Sequence, residues 1–437
     1  MAEPDVKSLP RDLPPTAAAP SLNTGPMRRI LLSSFLGSAI EFYDFILYSL
    51  AASIVFHQVF FAQLSTSLAT LASFGTLAAG YVARPLGGMI FGRIGDRTGR
   101  KSVLVTSMAI MGAATVGIGL LPTYAQIGVT APVLLIVLRI VQGLAVGGEF
   151  GGAMLVAAEH APEKRRGFAA SFANMGGPAG SLLAAAAMAA ASALPDDQFY
   201  SWGWRVPFLL SFVLILIGLG IRLRISETPA FQALSESDKS ASTPIKEVFT
   251  RYPRRVLLSI GAGLAGYACQ GLLSVWAIGY AVSLGVDRSA VLEMKIVGAL
   301  GMVFMIGYSA TLGDRYGRRP VLIAGAVFGT LMAYPIVLAL GSGSAAWTAA
   351  AIIFGQAVVQ GIMFGPFSAF LADQFPTRVR YTGSSIGYQT ASTFGAGFTP
   401  IICAWLLTAA GGSNVLVGAF FAGMFALSGL CAYLLRD

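Results

Sequence analysis

The sequence predicts an all-α membrane protein of twelve transmembrane helices, built as two pseudo-symmetric six-helix bundles. Three observations carry this reading: an apolar composition, twelve separate apolar runs of bilayer length, and a set of motifs that occurs twice. Of 437 residues, 55% are hydrophobic and 11% are charged, with a mean hydropathy of +0.72. A water-soluble globule of this composition would expose too much apolar surface.

The apolar runs lie near 30–56, 67–92, 102–121, 132–157, 168–193, 204–223, 256–284, 291–312, 320–341, 346–371, 382–409 and 412–435. Each has about 20 residues or more, which at about 1.5 Å rise per residue crosses a hydrocarbon core of about 30 Å. Helices are the form expected, because open sheets leave backbone groups unsatisfied in lipid and the runs lack the alternation of barrel strands. Lys and Arg in short loops remain on the cytoplasmic side. With residue 1 placed there, 24 of the 29 lysines and arginines fall on that side, and the exceptions are Arg84, Arg139, Arg205, Arg288 and Lys295. Both termini are therefore expected in the cytoplasm. The same bias accounts for the net charge of +9, so no nucleic-acid partner is implied.

The repeat fixes the architecture. GDRTGRKSVL at 95–104 returns as GDRYGRRPVL at 313–322, and VQG at 141–143 returns at 359–361. EHAPEKRRG at 159–167 is echoed by DQFPTRVRY at 373–381. Each half holds an even number of spans, so both have the same orientation, as in parallel repeats about an axis along the membrane normal. The expected organisation is a cytoplasmic tail (1–28), a first bundle (29–223), a cytoplasmic linker (224–255) and a second bundle (256–437). Cys269, Cys403 and Cys431 have no paired spacing and His57 and His160 stand alone, so no disulfide framework, metal site or cofactor is expected. A GxxxxGK[ST] loop for ATP is absent, as is a nucleophile–base set for catalysis, so the energy source expected is an ion gradient and the chain is not expected to be an enzyme.

Within the first run, EFYDF at 41–45 places Glu41 and Asp44 in an otherwise apolar segment. A charge at mid-span costs about 2.5–3.5 kcal/mol on insertion scales, which makes these acids functional candidates. Glu41, Asp44 and Tyr48 share one helix face, and so do Arg139, Gln142 and Glu149 in the fourth run. Burial raises a carboxyl pKa and a nearby guanidinium lowers it. Should those two faces meet, engagement of Asp44 by Arg139 would form a proton switch; a permanent pair that only lets the two helices insert together is the alternative. Arg84 and Glu149 are expected at similar depth, where Arg84 either pairs with Glu149 or grips an anionic substrate. The glycines of the fourth run, Gly143, Gly147, Gly148, Gly151 and Gly152, suit close helix approach.

The repeated GDRxGR(R/K) resembles the signature of the major facilitator superfamily, and RIVQG at 139–143 resembles its fourth-helix motif. RPLGGMIFGRIGDRTGRK at 84–101, RIVQGLAVGGEFGGA at 139–153, GWRVPFLLS at 203–211, ETPAF at 227–231 and FPTRVRYTGSSIGYQ at 375–389, together with EFYDF, resemble its metabolite:proton symporter branch. Members of that branch carry shikimate, α-ketoglutarate, citrate, or proline and betaine. Phe42 stands where the branch commonly has Trp, Ala310 lacks the glycine present at Gly92, and Asp373 precedes the FPTR where glutamate is more usual.

The resemblance implies a secondary carrier in a bacterial inner membrane, working by rocker-switch alternating access, that takes up a small organic acid with a proton. The alternatives are a carrier of a zwitterion such as betaine, a proton-independent uniporter or exchanger, and a non-transporting sensor. It further implies a central cavity lined by the first and fourth spans of each half. Candidate substrate residues are Tyr48, Tyr81, Arg84, Gln142, Glu149, Asn174, Tyr267, Gln270, Trp276, Tyr280, Gln360, Tyr388 and Gln389; each could equally bridge neighbouring helices. Asp96, with Arg97, Arg100 and Glu159, is implied to form a cytoplasmic gate against the start of a second-half helix, where the helix dipole favours an anion. Asp314, Arg315, Arg318 and Asp373 would be its second-half copy. The partners implied are a small carboxylate, a proton and lipid, with the protein a monomer.

Overall fold

In the computed structural model the described residues are 25–98, 100–147, 166–223, 244–376 and 379–435, and every regular element among them is helical. Twelve long helical runs follow one another. They are α1 (Gly25–Ile54), α2 (Thr66–Thr98), α3 (Arg100–Leu120), α4 (Thr130–Gly147), α5 (Arg166–Ser192), α6 (Arg205–Leu223), α7 (Pro253–Ser283), α8 (Arg288–Tyr316), α9 (Arg318–Leu340), α10 (Ala345–Asp373), α11 (Arg380–Ser392, Thr393–Gly397 and Thr399–Ala409) and α12 (Val415–Leu434). Among the described residues nine helices are long and apolar enough to cross a membrane, or ten if the bent pair Asp196–Gly203 and Arg205–Gly220 is one span; Val105–Leu120 is a shorter apolar helix. α5 is rich in Ala, Gly and Ser, which are less apolar than the Leu and Ile of the other spans.

The helices outrun the hydropathy at several ends. α2 continues to Thr98 and α8 to Tyr316, so the first GDR and the second both lie inside helix and not in the connecting loop. Hydropathy reports the apolar slab, whereas helical hydrogen bonding continues beyond it into the charged turns. The true break after α8 is Gly317, at φ 95°, a conformation that glycine adopts without steric cost.

Close helix pairs hold each bundle. α2 lies along α4, α1 along α5 and α9 along α12. A Cβ placed at Gly143 would overlap the carbonyl oxygen of Gly80, and one at Gly147 the carbonyl oxygen of Arg84. These two fourth-helix glycines therefore let the α2 and α4 backbones touch; Gly148, Gly151 and Gly152 lie outside the described residues. Between the halves, α5 packs on α8 and α2 on α11, two seams that correspond under the repeat. In the second half three spans contain π-helical turns, Leu272–Trp276 in α7, Gly355–Gln360 in α10 and Thr393–Gly397 in α11. π-turns inside α-helices are frequently found at functional sites, and the third of these packs on α2 of the other half.

Candidate functional site

The first bundle is organised around a fully buried guanidinium. Arg139 of α4 is 0% exposed. Its Cζ lies 4.0 Å from the ring centroids of both Phe45 and Tyr48 on α1. Its Nη1 donates to Gln142 Oε1 at 3.1 Å, and Gln142 in turn donates to Thr115 of α3 at 2.7 Å. Nε and Nη2 have no hydrogen-bond partner, and Arg139 makes no ion pair among the described residues. Engagement of Arg139 by Asp44 is therefore not the geometry found. The α1 face presents two aromatic rings to the guanidinium, and a planar delocalised cation stacks well on them. Tyr48 is fixed in this position by donating to Thr76 of α2 at 2.6 Å. Asp44 and Glu41 are themselves buried, at 1% and 6% exposure.

Arg84 of α2 belongs to the same cluster. Its Cζ sits 3.8 Å from the Phe45 centroid and 4.5 Å from that of Tyr81. Its Nη1 reaches across the seam to Ser392 Oγ of α11 at 3.5 Å. One residue further along α11, Thr393 Oγ1 donates to the Tyr81 carbonyl at 2.9 Å. Arg84 is thus tied to the other half by α11; Glu149, its expected partner, lies outside the described residues.

Between the halves is a cavity lined by Phe42 and Ile46 of α1, Asn174 and Ser181 of α5, Gln270 and Ser274 of α7, Met302 of α8, Gln356, Gln360 and Phe364 of α10, and Tyr388 of α11. Its free volume is about 30 Å³, room for roughly two waters when one needs about 10–15 Å³ by the same measure. Of the expected substrate residues, Asn174, Gln270, Gln360 and Tyr388 line this space. Tyr48, Tyr81, Arg84, Gln142, Trp276 and Tyr280 do not. Tyr48 and Gln142 face into the first bundle, and Trp276 stacks on Tyr280 with centroids 4.5 Å apart. On α1 the residue expected at the substrate path is Tyr48, whereas the helix is rotated so that Phe42 and Ile46 line the cavity. Asn174 already bridges the halves, donating to the Phe364 carbonyl at 3.0 Å and to Ser368 Oγ at 2.8 Å. Sequence reasoning missed Ser274, Gln356 and the buried Lys295, whose Nζ donates to Ser274 Oγ at 2.9 Å. A charge inside an apolar run, the signal that marked Asp44, was present for Lys295 as well.

Contacts cross the seam at both ends of the cavity. On the side rich in basic residues, the Asp314 carboxylate accepts from the backbone N–H groups of Gly167 (3.2 Å) and Phe168 (3.0 Å) at the start of α5. Arg318 lies 3.5 Å from Asp314 and also pairs with Asp373. Arg315 is not in this network; its guanidinium stands 5.1 Å from the Tyr316 ring centroid. Glu159 and the side chains of Asp96, Arg97 and Arg100 lie outside the described residues. On the opposite side Arg288 of α8 donates to the Ser192 carbonyl at 3.2 Å, to Asp196 at 3.2 Å and to the Tyr200 hydroxyl at 3.3 Å. Ser53 of α1 donates to the Val275 carbonyl of α7 at 2.7 Å.

Residues 34–400 match the family model described as Major Facilitator Superfamily. The chain belongs to the major facilitator superfamily. It is 41% identical over 412 residues to the inner membrane metabolite transport protein YhjE of Escherichia coli (strain K12), covering 92% of each chain. It is 37% identical to the shikimate transporter of the same organism, covering 95% of this chain and 96% of that one. The proline/betaine transporter of Escherichia coli is 32% identical over 94% of this chain and 83% of its own. Among solved structures, the fold matches a D-xylose-proton symporter with a TM-score of 0.74 at 20% identity, covering 94% of this chain and 98% of that chain. These relatives place the chain in the metabolite transporter branch of the superfamily, as an integral membrane secondary transporter and not an enzyme.

Proposed function

We propose that this transporter imports a small organic acid together with a proton by rocker-switch alternating access, in a bacterial inner membrane with both termini cytoplasmic. The observation that carries the reading is the buried Arg139 guanidinium with two unfilled donor nitrogens, packed against the α1 face that also carries the buried Glu41 and Asp44. In this reading Asp44 holds the proton in the closed state and Arg139 rests on the rings. Release of the proton restores a carboxylate that draws the guanidinium from them, because opposite charges attract strongly in a poorly screened interior. Glu41 adds a second titratable group on the same helix. One proton falling through about 100 mV supplies about 2.3 kcal/mol, enough for useful accumulation.

Seam contacts at both ends and a cavity too small for a metabolite describe the occluded stage of such a cycle, and substrate entry requires one end to part. The Asp314–Arg318–Asp373 network against α5 is the cytoplasmic latch in this scheme, with Asp96, Arg97, Arg100 and Glu159 as its first-half counterpart. The Arg288 cluster is the outer latch. Uptake by proteoliposomes of labelled shikimate, succinate and α-ketoglutarate, with and without an imposed inside-alkaline pH gradient, tests the reading. Accumulation of an acid above its external concentration only with the gradient is the expected result; equilibration without accumulation refutes coupling. The aromatic walls Phe42, Phe364 and Tyr388 favour a second reading, a zwitterion with a quaternary ammonium, so glycine betaine belongs in the same panel.

A further inference from the structure

We propose that Lys295 supplies the positive charge that binds the carboxylate of the transported acid on the second-half wall of the cavity. The assignment rests on the organic-acid reading above and names the group that would select for an acid.

Lys295 lies seven residues into α8, about 10 Å along the helix from its start at Arg288 at about 1.5 Å per residue, and is 0% exposed. An ammonium carries three N–H donors. Here one is used, toward Ser274 Oγ at 2.9 Å, and no acidic side chain forms an ion pair with it among the described residues. Glu293 is two positions earlier on an exposed face, and residues two apart on a helix do not meet. An ionisable side chain held in a span with so little compensation is functional by default. A lysine kept for packing alone would gain nothing over a methionine of similar length, which carries no desolvation cost.

The placement of Lys295 says what it is for. Its partner Ser274 lines the cavity, so the ammonium stands one hydroxyl behind the wall. One helical turn along α8, Gly298 faces Gln356 at a distance that would bring a Cβ to 3.0 Å from Oε1. That Oε1 is buried without a hydrogen-bond partner, and Gln356 also lines the cavity. Two turns along the same face, Met302 lines it too. Ser274 and Gln356 both sit in π-helical turns, of α7 and α10, so two helices are locally re-aimed at the level of this ammonium. The described residues lining the cavity include amides, hydroxyls and aromatic rings but no charged side chain. Lys295 therefore gives this wall its charge, and its flexible stem lets Nζ leave Ser274 for an incoming carboxylate.

The test uses full-length protein in proteoliposomes, with labelled shikimate, succinate, α-ketoglutarate and glycine betaine as probes. Lys295→Met should melt at the same temperature as wild type or higher, since a buried charge is removed. Its KM for the transported acid should rise at least about tenfold, the loss expected for one charge-assisted hydrogen bond. Its preference for the acid over the acid's methyl ester in competition should disappear, and Lys295→Arg should restore part of it. Should Lys295→Met express poorly, Lys295→Gln is read in the same way. An unchanged KM, or a lower melting temperature with the acid-over-ester preference intact, overturns the assignment and leaves the organic-acid reading standing. A wild type that carries glycine betaine, or none of the acids, overturns both.

Discussion

Arg139 in the first half and Lys295 in the second are both fully buried basic side chains in apolar spans, yet the protein holds them by different means. Arg139 rests against two aromatic rings and an amide oxygen, contacts that a planar, delocalised guanidinium uses well. Lys295 has a single hydroxyl. An ammonium is a compact charge that gains little from rings placed elsewhere and depends on acceptors within reach. In the proposed cycle the first half stores a cation that waits for a carboxylate on its own neighbouring helix, and the second leaves one for a carboxylate arriving from outside. In that cycle proton and solute therefore act on different halves of the protein, and closure needs both.

The comparison breaks most decisively at Asp44. Asp44→Asn should abolish accumulation driven by a pH gradient while leaving solute counterflow measurable, because the amide cannot cycle a proton; gradient-driven accumulation in that variant would remove Asp44 from the coupling. Arg139→Lys comes next. It keeps the charge but loses the stacking on Phe45 and Tyr48, each contact worth up to about 2 kcal/mol when desolvated, and the loss is read as a lower melting temperature in detergent. A variant as stable and active as wild type would show that the rings are not what holds the guanidinium.

Smaller effects sharpen the picture at the seams. Asp314→Ala removes the acceptor for two backbone N–H groups at the start of α5 and a partner of Arg318. A shift of about 1–3 kcal/mol in the closing equilibrium is expected, seen as slower exchange at normal surface expression; unchanged kinetics would remove the latch. Ser392→Ala tests the contact between Arg84 and α11. At 3.5 Å this hydrogen bond is at its geometric limit, so its loss should change KM by less than about tenfold, under the 1.4 kcal/mol that a tenfold change represents. A larger effect would mean that Arg84 contacts substrate through this position.

Much of the architecture was legible because hydropathy and repetition are local properties of a chain. The two GDRxGR copies, the glycines of α4 and the apolar runs each name their own position without tertiary information. The site was legible only in part. Asn174, Gln270, Gln360 and Tyr388 line the cavity, but on α1 Phe42 and Ile46 do so and Tyr48 does not, because the rotation of a helix about its axis is set by packing on all sides in a span buried in protein. The polar stripe of Tyr48, Arg139 and Gln142 closes within the first bundle, where its donors and acceptors find one another and not the solute path. The π-turns that aim Ser274, Gln356 and Thr393 had no signal in composition or periodicity. Lys295 did have one, since a charge in a span is visible from sequence, but its neighbours Ser274 and Gln356 come from other helices, and only folding brings them together.

Whether cargo and proton cross together is read by recording internal pH in dye-loaded proteoliposomes while labelled acid enters. Acid uptake by the wild type should acidify the lumen in proportion to solute delivered, and Asp44→Asn should exchange solute without moving the dye signal. Wild-type uptake with no change in internal pH, under any imposed gradient, would contradict coupling.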